Sequence, residues 1–340
     1  MNKLREYEQN RLTRLPIADI ADRAVFCKSL LGDESCWFWC SDMIEHDGVC
    51  HLFATRWTGS SEDWRRTSEV RHYTADSPEG TFTYRDTPLT PGHMPEIWQT
   101  CAHNPQIFHI DDKYVLIYIT FDARIPDGRE RMGSTMVGML TADTPDGPWT
   151  PAHGDGIVLR KSDDPAHWTF NSCCGCSNPT LTREDDGKYR IYFKCGTSVH
   201  DIGYGCAVCD TLCGEYIPEN RKVTDNIFYI EDAKAFVSDG VAYLVTTDNF
   251  GTNTGIFGAL ILWEKRGDMF RMSDAKLALG RLCDYTEIPD CASFADGERS
   301  TKLERPGILM RDGRPAYLTA CTRTSLQGSG RSEIYLFKIQ

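Results

Sequence analysis

The chain has 340 residues with 41% apolar content, enough to bury a large core in one big domain or two modest ones. Its 37 basic and 49 acidic residues give a formal charge of −12, which repels a phosphate backbone and anionic lipid, so nucleic acid and membranes are excluded as expected partners. No apolar stretch approaches the roughly eighteen residues of a membrane span.

Residues 1–33 carry charges every few positions and lack the apolar core of a secretory signal. They read as an N-terminal extension or clasp, helical in part, on a cytoplasmic protein. The 15 cysteines cannot all pair, and in that setting they read as reduced thiols. The clusters CCGC at 173–176 and CAVCDTLC at 206–213 raise zinc, but the first two cysteines of CAVC fall on opposite faces of a strand, so buried packing is expected instead.

From residue 34 onward one pattern recurs five times: WCSDMIEHDGVCHLFA from Trp39, HNPQIFHIDDKYVLIY from His103, SNPTLTREDDGKYRIYF from Ser177, EDAKAFVSDGVAYLV from Glu231 and ERPGILMRDGRPAYL from Glu304. Each reads as strand, tight acidic turn, strand. Asp47, Asp111, Asp239 and Asp312 open their turns seven residues after Cys40, Asn104, Asp232 and Arg305, while Asp186 lies eight after Asn178. A hairpin fixes register, so these five residues should begin five equivalent strands. ADSPEGTF at 75–82 and ADTPDGPW at 142–149 form a second echo.

Strands such as KYVLIYI are apolar at consecutive positions, so both faces of each sheet need cover. Sheets arranged around an axis supply it. The expected fold is all-β: a five-bladed β-propeller in a single domain over 34–340.

In a propeller the innermost strands line the axis, so their leading residues should form one ring: Trp39 and Cys40, His103 and Asn104, Ser177 and Asn178, Glu231 and Asp232, Glu304 and Arg305. Burying that many polar groups without a partner or ligand is costly, and Arg305 is expected to pair with an acid.

HNPQI, SNPTL, IEDAKAF, LERPGIL, the DGKY-type turns and the SPEG/TPDGPW repeats resemble the five-bladed propeller glycoside hydrolases of families 43, 32, 117 and 130, nearest to family 43-like and family 117-like proteins. The family 43 resemblance would imply acids on blades 1, 2 and 3, where this chain has Cys40, Asn104 and Ser177 or Asn178. The candidate catalytic residues are instead Asp232, Glu304, Glu231 and His103. Strand alternation would point Glu231 and Asp232 apart, so Asp232 is expected to work with Glu304 or His103, at the 6.5–9.5 Å or so of an inverting pair.

Candidate substrate-binding residues are Arg56, Trp57, Asn104, Asn178, Lys194, Asp248, Arg305, Trp39 and Asp42, the last as a displaced blade 1 carboxylate. Trp37, Trp64 and Trp98 add further sugar platforms, and the cations suit an anionic group on the sugar. The resemblance implies an exo-acting, inverting glycosidase on an oligosaccharide. The alternatives are a family 130-type phosphorylase, with Arg56, Lys194, Arg305 and His103 on phosphate, and a non-catalytic carbohydrate-binding propeller. No cofactor is required and no metal is assigned; an axial or structural cation and a homo-oligomer stay open. Cysteine catalysis through Cys40 or Cys176 has no supporting signature.

Overall fold

The computed structural model describes residues 3–93, 100–289, 301–323 and 331–340. They form five antiparallel sheets around one axis, a five-bladed β-propeller. Blade 1 comprises Trp37–His46, Val49–Trp57, Glu69–Ala75 and Thr83–Leu89. Blade 2 runs His103–Ile110, Lys113–Thr120, Met136–Ala142 and Ile157–Leu159, and blade 3 runs Ser177–Arg183, Tyr189–Cys195, Gly203–Cys209 and Ile217–Lys222. Blade 4 contains Glu231–Ser238, Val241–Asp248, Ala259–Arg266 and Lys276–Leu279. Blade 5 contains Glu304–Arg311, Arg314–Thr322 and Glu333–Ile339, and its outermost strand is Ala24–Gly32.

That last strand comes from the segment that the sequence reads as an N-terminal extension or clasp. Ala24 pairs with Ile339 and Gly32 with Glu333, so one blade is built from both ends of the chain and the ring is closed by hydrogen bonds. Ahead of it, helices Lys3–Gln9 and Asp19–Arg23 rest against blade 4. Tyr7 donates to Asp284 at 2.6 Å, and the amides of Ala18 and Leu277 bond to the carbonyls of Leu277 and Pro16.

The doubly apolar strands have a direct explanation. In Lys113–Thr120, Val115 and Ile117 enter the core between blades 2 and 3, while Leu116 and Tyr118 enter the one between blades 1 and 2. Three more such cores fill the remaining interfaces. Each large side chain buried there contributes about 1.5–3 kcal/mol. Cys206 and Cys209 fall in two different cores, as alternation requires, and all described cysteines are unpaired thiols.

The acidic turns adopt the left-handed backbone that tight hairpins need: φ is 48° at Asp47, 52° at Asp111, 49° at Asp239 and 50° at Asp312. A second left-handed set was not anticipated. Cys40, Asn104, Asn178, Asp232 and Arg305 have φ of 45°, 55°, 46°, 65° and 56°. At each the pairing with the next strand slips, which marks a β-bulge. Left-handed backbone costs roughly 1–2 kcal/mol per non-glycine residue. Five repetitions of that cost mark a frame the ring requires.

Close approach of the inner strands also explains one glycine. A Cβ on Gly307 would stand 2.3 Å from the Ser41 carbonyl oxygen and 2.9 Å from Asp42 Oδ1, so blades 1 and 5 could not meet.

Candidate active site

Four of the five bulged residues are joined side chain to side chain around the pore. Asn104 Nδ2 donates to Asn178 Oδ1 at 3.1 Å, Asn178 Nδ2 donates to Asp232 Oδ1 at 2.7 Å, and Arg305 Nη1 meets the same oxygen at 2.5 Å. Cys40 Sγ donates to the Pro105 carbonyl at 3.4 Å. Thr55 and Thr247, from second strands, brace the ring through the Asn104 amide and Asp232 Oδ2.

The bulge corrects the expectation that Glu231 and Asp232 point apart. With Asp232 in left-handed conformation the period-two alternation is broken, and both side chains turn to the same end of the axis. Glu231, Asp232 and Glu304 each offer a carboxylate oxygen within 4.8 Å of the others. These selected oxygens stand closer than the roughly 6.5–9.5 Å expected between the carboxyl groups of an inverting pair.

Three cations are threaded among these acids. Lys194 Nζ contacts Glu231 Oε2 at 2.6 Å and Tyr229 OH at 3.2 Å, and Tyr229 donates to Glu231 Oε2 at 2.9 Å. Asn249 donates to Glu231 Oε1 and accepts from Lys302, whose Nζ also stands 2.7 Å from Glu304 Oε1. Glu304 Oε2 has no donor among the described residues. The three carboxyl oxygens would suit a cation, but the chain already supplies the positive charge through Lys194, Lys302 and Arg305.

Their environments separate the carboxyls electrostatically. Burial pushes Glu231 up, but Lys194, Arg305 and Lys302 outweigh it and hold the group well below the usual carboxylate range. Asp232 goes the other way, pushed up to about 7 by burial and by Glu231 and Glu304, against the pull of Arg305. Its side chain is 0% exposed, so it stands behind the mouth, whereas Glu231 and Glu304 retain 12% and 11%. Solvent therefore reaches the two glutamates and Arg305, which is 13% exposed, but not Asp232.

His103 is buried, stacks on Trp64 at 4.3 Å and meets Trp57 edge-on at 5.7 Å. Burial, reinforced by Arg305, holds its imidazole well below its usual pKa. It is neutral at pH 7 and unsuited to act as the acid. Trp57 in turn stacks on Trp37 at 5.8 Å, so Trp37, Trp57, His103 and Trp64 form an aromatic wall, with Trp37 and Trp64 partly exposed.

Several expected contacts lie elsewhere. Asp42 is not a mouth carboxylate: it is fully buried, ion-paired to Lys234, and accepts the amides of Ile107 at 3.0 Å and Ile308 at 3.2 Å. It ties blade 1 to blades 2, 4 and 5. Asp248 accepts the amides of Asn253 and Thr254 at 3.0 and 2.8 Å, and so holds the loop that carries Asn249. Arg56 is engaged by Glu69 at 3.3 Å on the next strand of its blade, and Trp39 is buried in the core between blades 5 and 1. Trp98 lies outside the described residues. Burial pushes the thiols of Cys40 and Cys176 up, which removes the thiolate that nucleophilic catalysis needs.

Tyr229, Lys234, Thr247, Asn249 and Lys302 were missed by sequence reasoning. They come from second strands, from deeper inner-strand positions and from loops outside the five-fold pattern, so no periodicity flags them.

No protein-family model and no curated protein matches the sequence. Solved structures do match. A family 117 glycoside hydrolase produced by the marine bacterium Zobellia galactanivorans superposes with a TM-score of 0.68 at 17% identity, over 94% of this chain and 91% of that one. A family 43 β-xylosidase/α-arabinofuranosidase from a compost microbial metagenome gives 0.61 at 14%, over 93% and 94%. The arabinanase Arb43A of Bacillus subtilis gives 0.57 at 13%, over 92% and 96%. The fold is the one found in family 117 and family 43 glycoside hydrolases. At these identities the likeness establishes architecture, and the chemistry has to come from the mouth.

Proposed function

We propose that the protein is a glycoside hydrolase whose active site is the pore mouth around Glu304 and Glu231. The observation that carries this reading is the set of three carboxyls and three cations gathered at the mouth of a fold shared with glycosidases.

Hydrolysis breaks the glycosidic C–O bond, delivers a proton to the leaving oxygen and adds water at the anomeric carbon. Glu304, with one oxygen lacking a donor among the described residues, is the group placed to exchange that proton. Glu231, held ionised by Lys194, Tyr229 and Asn249, supports the positive charge that develops on the sugar ring. Asp232 is a positioning residue that orients Arg305 and sets the proton balance of the cluster. Trp37 and Trp64 offer faces for a pyranose.

Exo attack, inversion and an anionic sugar belong to the same reading. Three cations face three carboxyls, one of which keeps its proton up to about pH 7, so the mouth gains positive character as Asp232 protonates. That supports a uronate or sulfate on the sugar. Inversion calls for a base far enough from Glu304 to leave room for a water between them, about 6.5–9.5 Å between the two carboxyl groups. We read the protein as cytoplasmic and independent of a cofactor for this reaction.

The test is a screen of aryl glycosides and neutral, uronate-bearing and sulfated oligosaccharides, with and without phosphate, using wild type beside Glu304→Gln. The expected result is release of single sugars without need of phosphate, lowered about 10²–10⁴-fold in the variant. Phosphate dependence would make the enzyme a phosphorylase. Binding without turnover, or equal rates in both proteins, overturns the assignment.

A further inference from the structure

Away from the axis, between blades 1 and 2, two histidines face each other nitrogen to nitrogen. His51 on Val49–Trp57 and His72 on Glu69–Ala75 are 2% and 0% exposed, with Nδ1 of His51 2.9 Å from Nε2 of His72. Across the blade interface lies Asp146, from the ADTPDGPW turn of blade 2. His51, His72 and Asp146 each offer a ligand atom within 4.8 Å of the other two.

His72 stacks on Phe53 with ring centroids 4.5 Å apart, but the blade repeat does not call for a histidine beside it. Counting four positions on from the turn, the places equivalent to His51 hold Val115, Arg190, Tyr243 and Ala316 in the other blades, and none is histidine. A second observation concerns the far side of His72. Its Nδ1 lies 3.4 Å from Asp86 Oδ1, and neither atom has a hydrogen-bond partner. The pair stops short of a hydrogen bond, and a small ring rotation that closed it would fix His72 in the tautomer whose Nε2 can ligate a metal.

We propose that His51, His72 and Asp146 form a zinc-type divalent metal site that staples blade 1 to blade 2, with Asp86 orienting His72. Two imidazoles and a carboxylate suit zinc, with water completing a tetrahedron. With Zn–N bonds of about 2.0–2.1 Å, the two nitrogens would need to separate by only a few tenths of an ångström. Charge favours a dication: with neutral imidazoles, Asp86 and Asp146 outweigh Arg85, which holds Asp146 Oδ1 at 3.2 Å. The carboxylates place the cluster near the surface, with the Asp86 and Asp146 side chains 46% and 42% exposed. His46 does not compete, since it is engaged by Tyr114 at 2.8 Å.

The test uses the full chain stripped of metal and titrated with Zn²⁺ against a chromophoric competitor, then with Co²⁺. Wild type is compared with Asp146→Asn, Asp86→Asn and His72→Gln; the first two change exposed positions and keep the fold. One equivalent should bind wild type and raise its Tm. Asp146→Asn and Asp86→Asn should weaken binding about 10–100-fold, and His72→Gln should abolish it. The proposal is overturned if wild type takes up no stoichiometric metal, or if the affinity is the same in the variants. It is equally overturned if the cobalt spectrum carries a thiolate charge-transfer band, which would put the ion on the cysteines.

Discussion

Two systems of buried charge lie in succession along the axis, and they differ in how completely they are closed. In the hub, Asp42 receives Lys234 and the Ile107 and Ile308 amides, while Lys234 also lies 3.8 Å from the centroid of the Phe108 ring. Its two side chains are 0% and 4% exposed. At the mouth, two to four residues back along the same strands, each acid also has a cation, but the side chains of Glu231 and Glu304 stay 12% and 11% exposed. The hub is electrostatics used for holding four blades together. The mouth is electrostatics held in reserve for something that arrives.

The sharpest way to break that distinction is to disable each system in turn. Glu304→Gln should lower sugar release about 10²–10⁴-fold while the midpoint of chemical denaturation falls only slightly, because the isosteric amide oxygen can still accept from Lys302. Lys234→Met should do the reverse: it strands Asp42 and should cost about 3–5 kcal/mol of stability in denaturant titrations, with normal turnover per folded molecule. If both variants lose activity and stability together, the two systems are one.

A gentler probe is pH. Asp232 has its pKa raised in the folded protein to about 7, above the roughly 3.9 of an unfolded aspartate. The folded state therefore holds an extra proton between those values. Its contribution is fully present below about pH 4 and is lost as pH rises through 7, by about 4 kcal/mol at the limit. Glu231 opposes this: its lowered pKa adds stability above the unfolded value that is lost as pH falls. Subtracting the pH–stability curve of Asp232→Asn from that of wild type should leave a downward slope from pH 4 to 7. A flat difference would mean Asp232 does not share the cluster's protons.

The smallest expected effect is Phe108→Leu, which removes the ring beside the hub lysine. About 0.5–2 kcal/mol should be lost, with no change in the pH profile of activity.

Much of the frame was legible in the chain. Acidic turns at Asp47, Asp111, Asp239 and Asp312 gave the strand phase, and doubly apolar strands gave sheets covered on both faces. The ring of Cys40, Asn104, Asn178, Asp232 and Arg305 followed from counting back from those turns. What counting could not see was the bulge. Alternation holds only while backbone φ stays extended, so the rule that separated Glu231 from Asp232 failed at the residue where φ is 65°. Asn and Asp at three of the five positions were the available hint, since both tolerate left-handed backbone.

Other parts were hidden for a different reason. Lys302, Asn249 and Tyr229 reach the mouth from connecting segments, where no repeat constrains position. Ala24–Gly32 pairs with a strand some three hundred residues away, and its own sequence carries no mark of that partner. Asp42 was noticed for its charge, yet its role is set by Lys234 and two amides on other blades, all of them long-range contacts.

The most direct test of the open mouth is a crystal structure of Glu304→Gln soaked with an oligosaccharide that wild type cleaves. The account predicts a sugar ring at the axis, within hydrogen-bond reach of Glu231, Arg305 and residue 304, with Trp37 or Trp64 against its face. Sugar bound at the hairpin-turn end of the propeller, or on its rim, would contradict it.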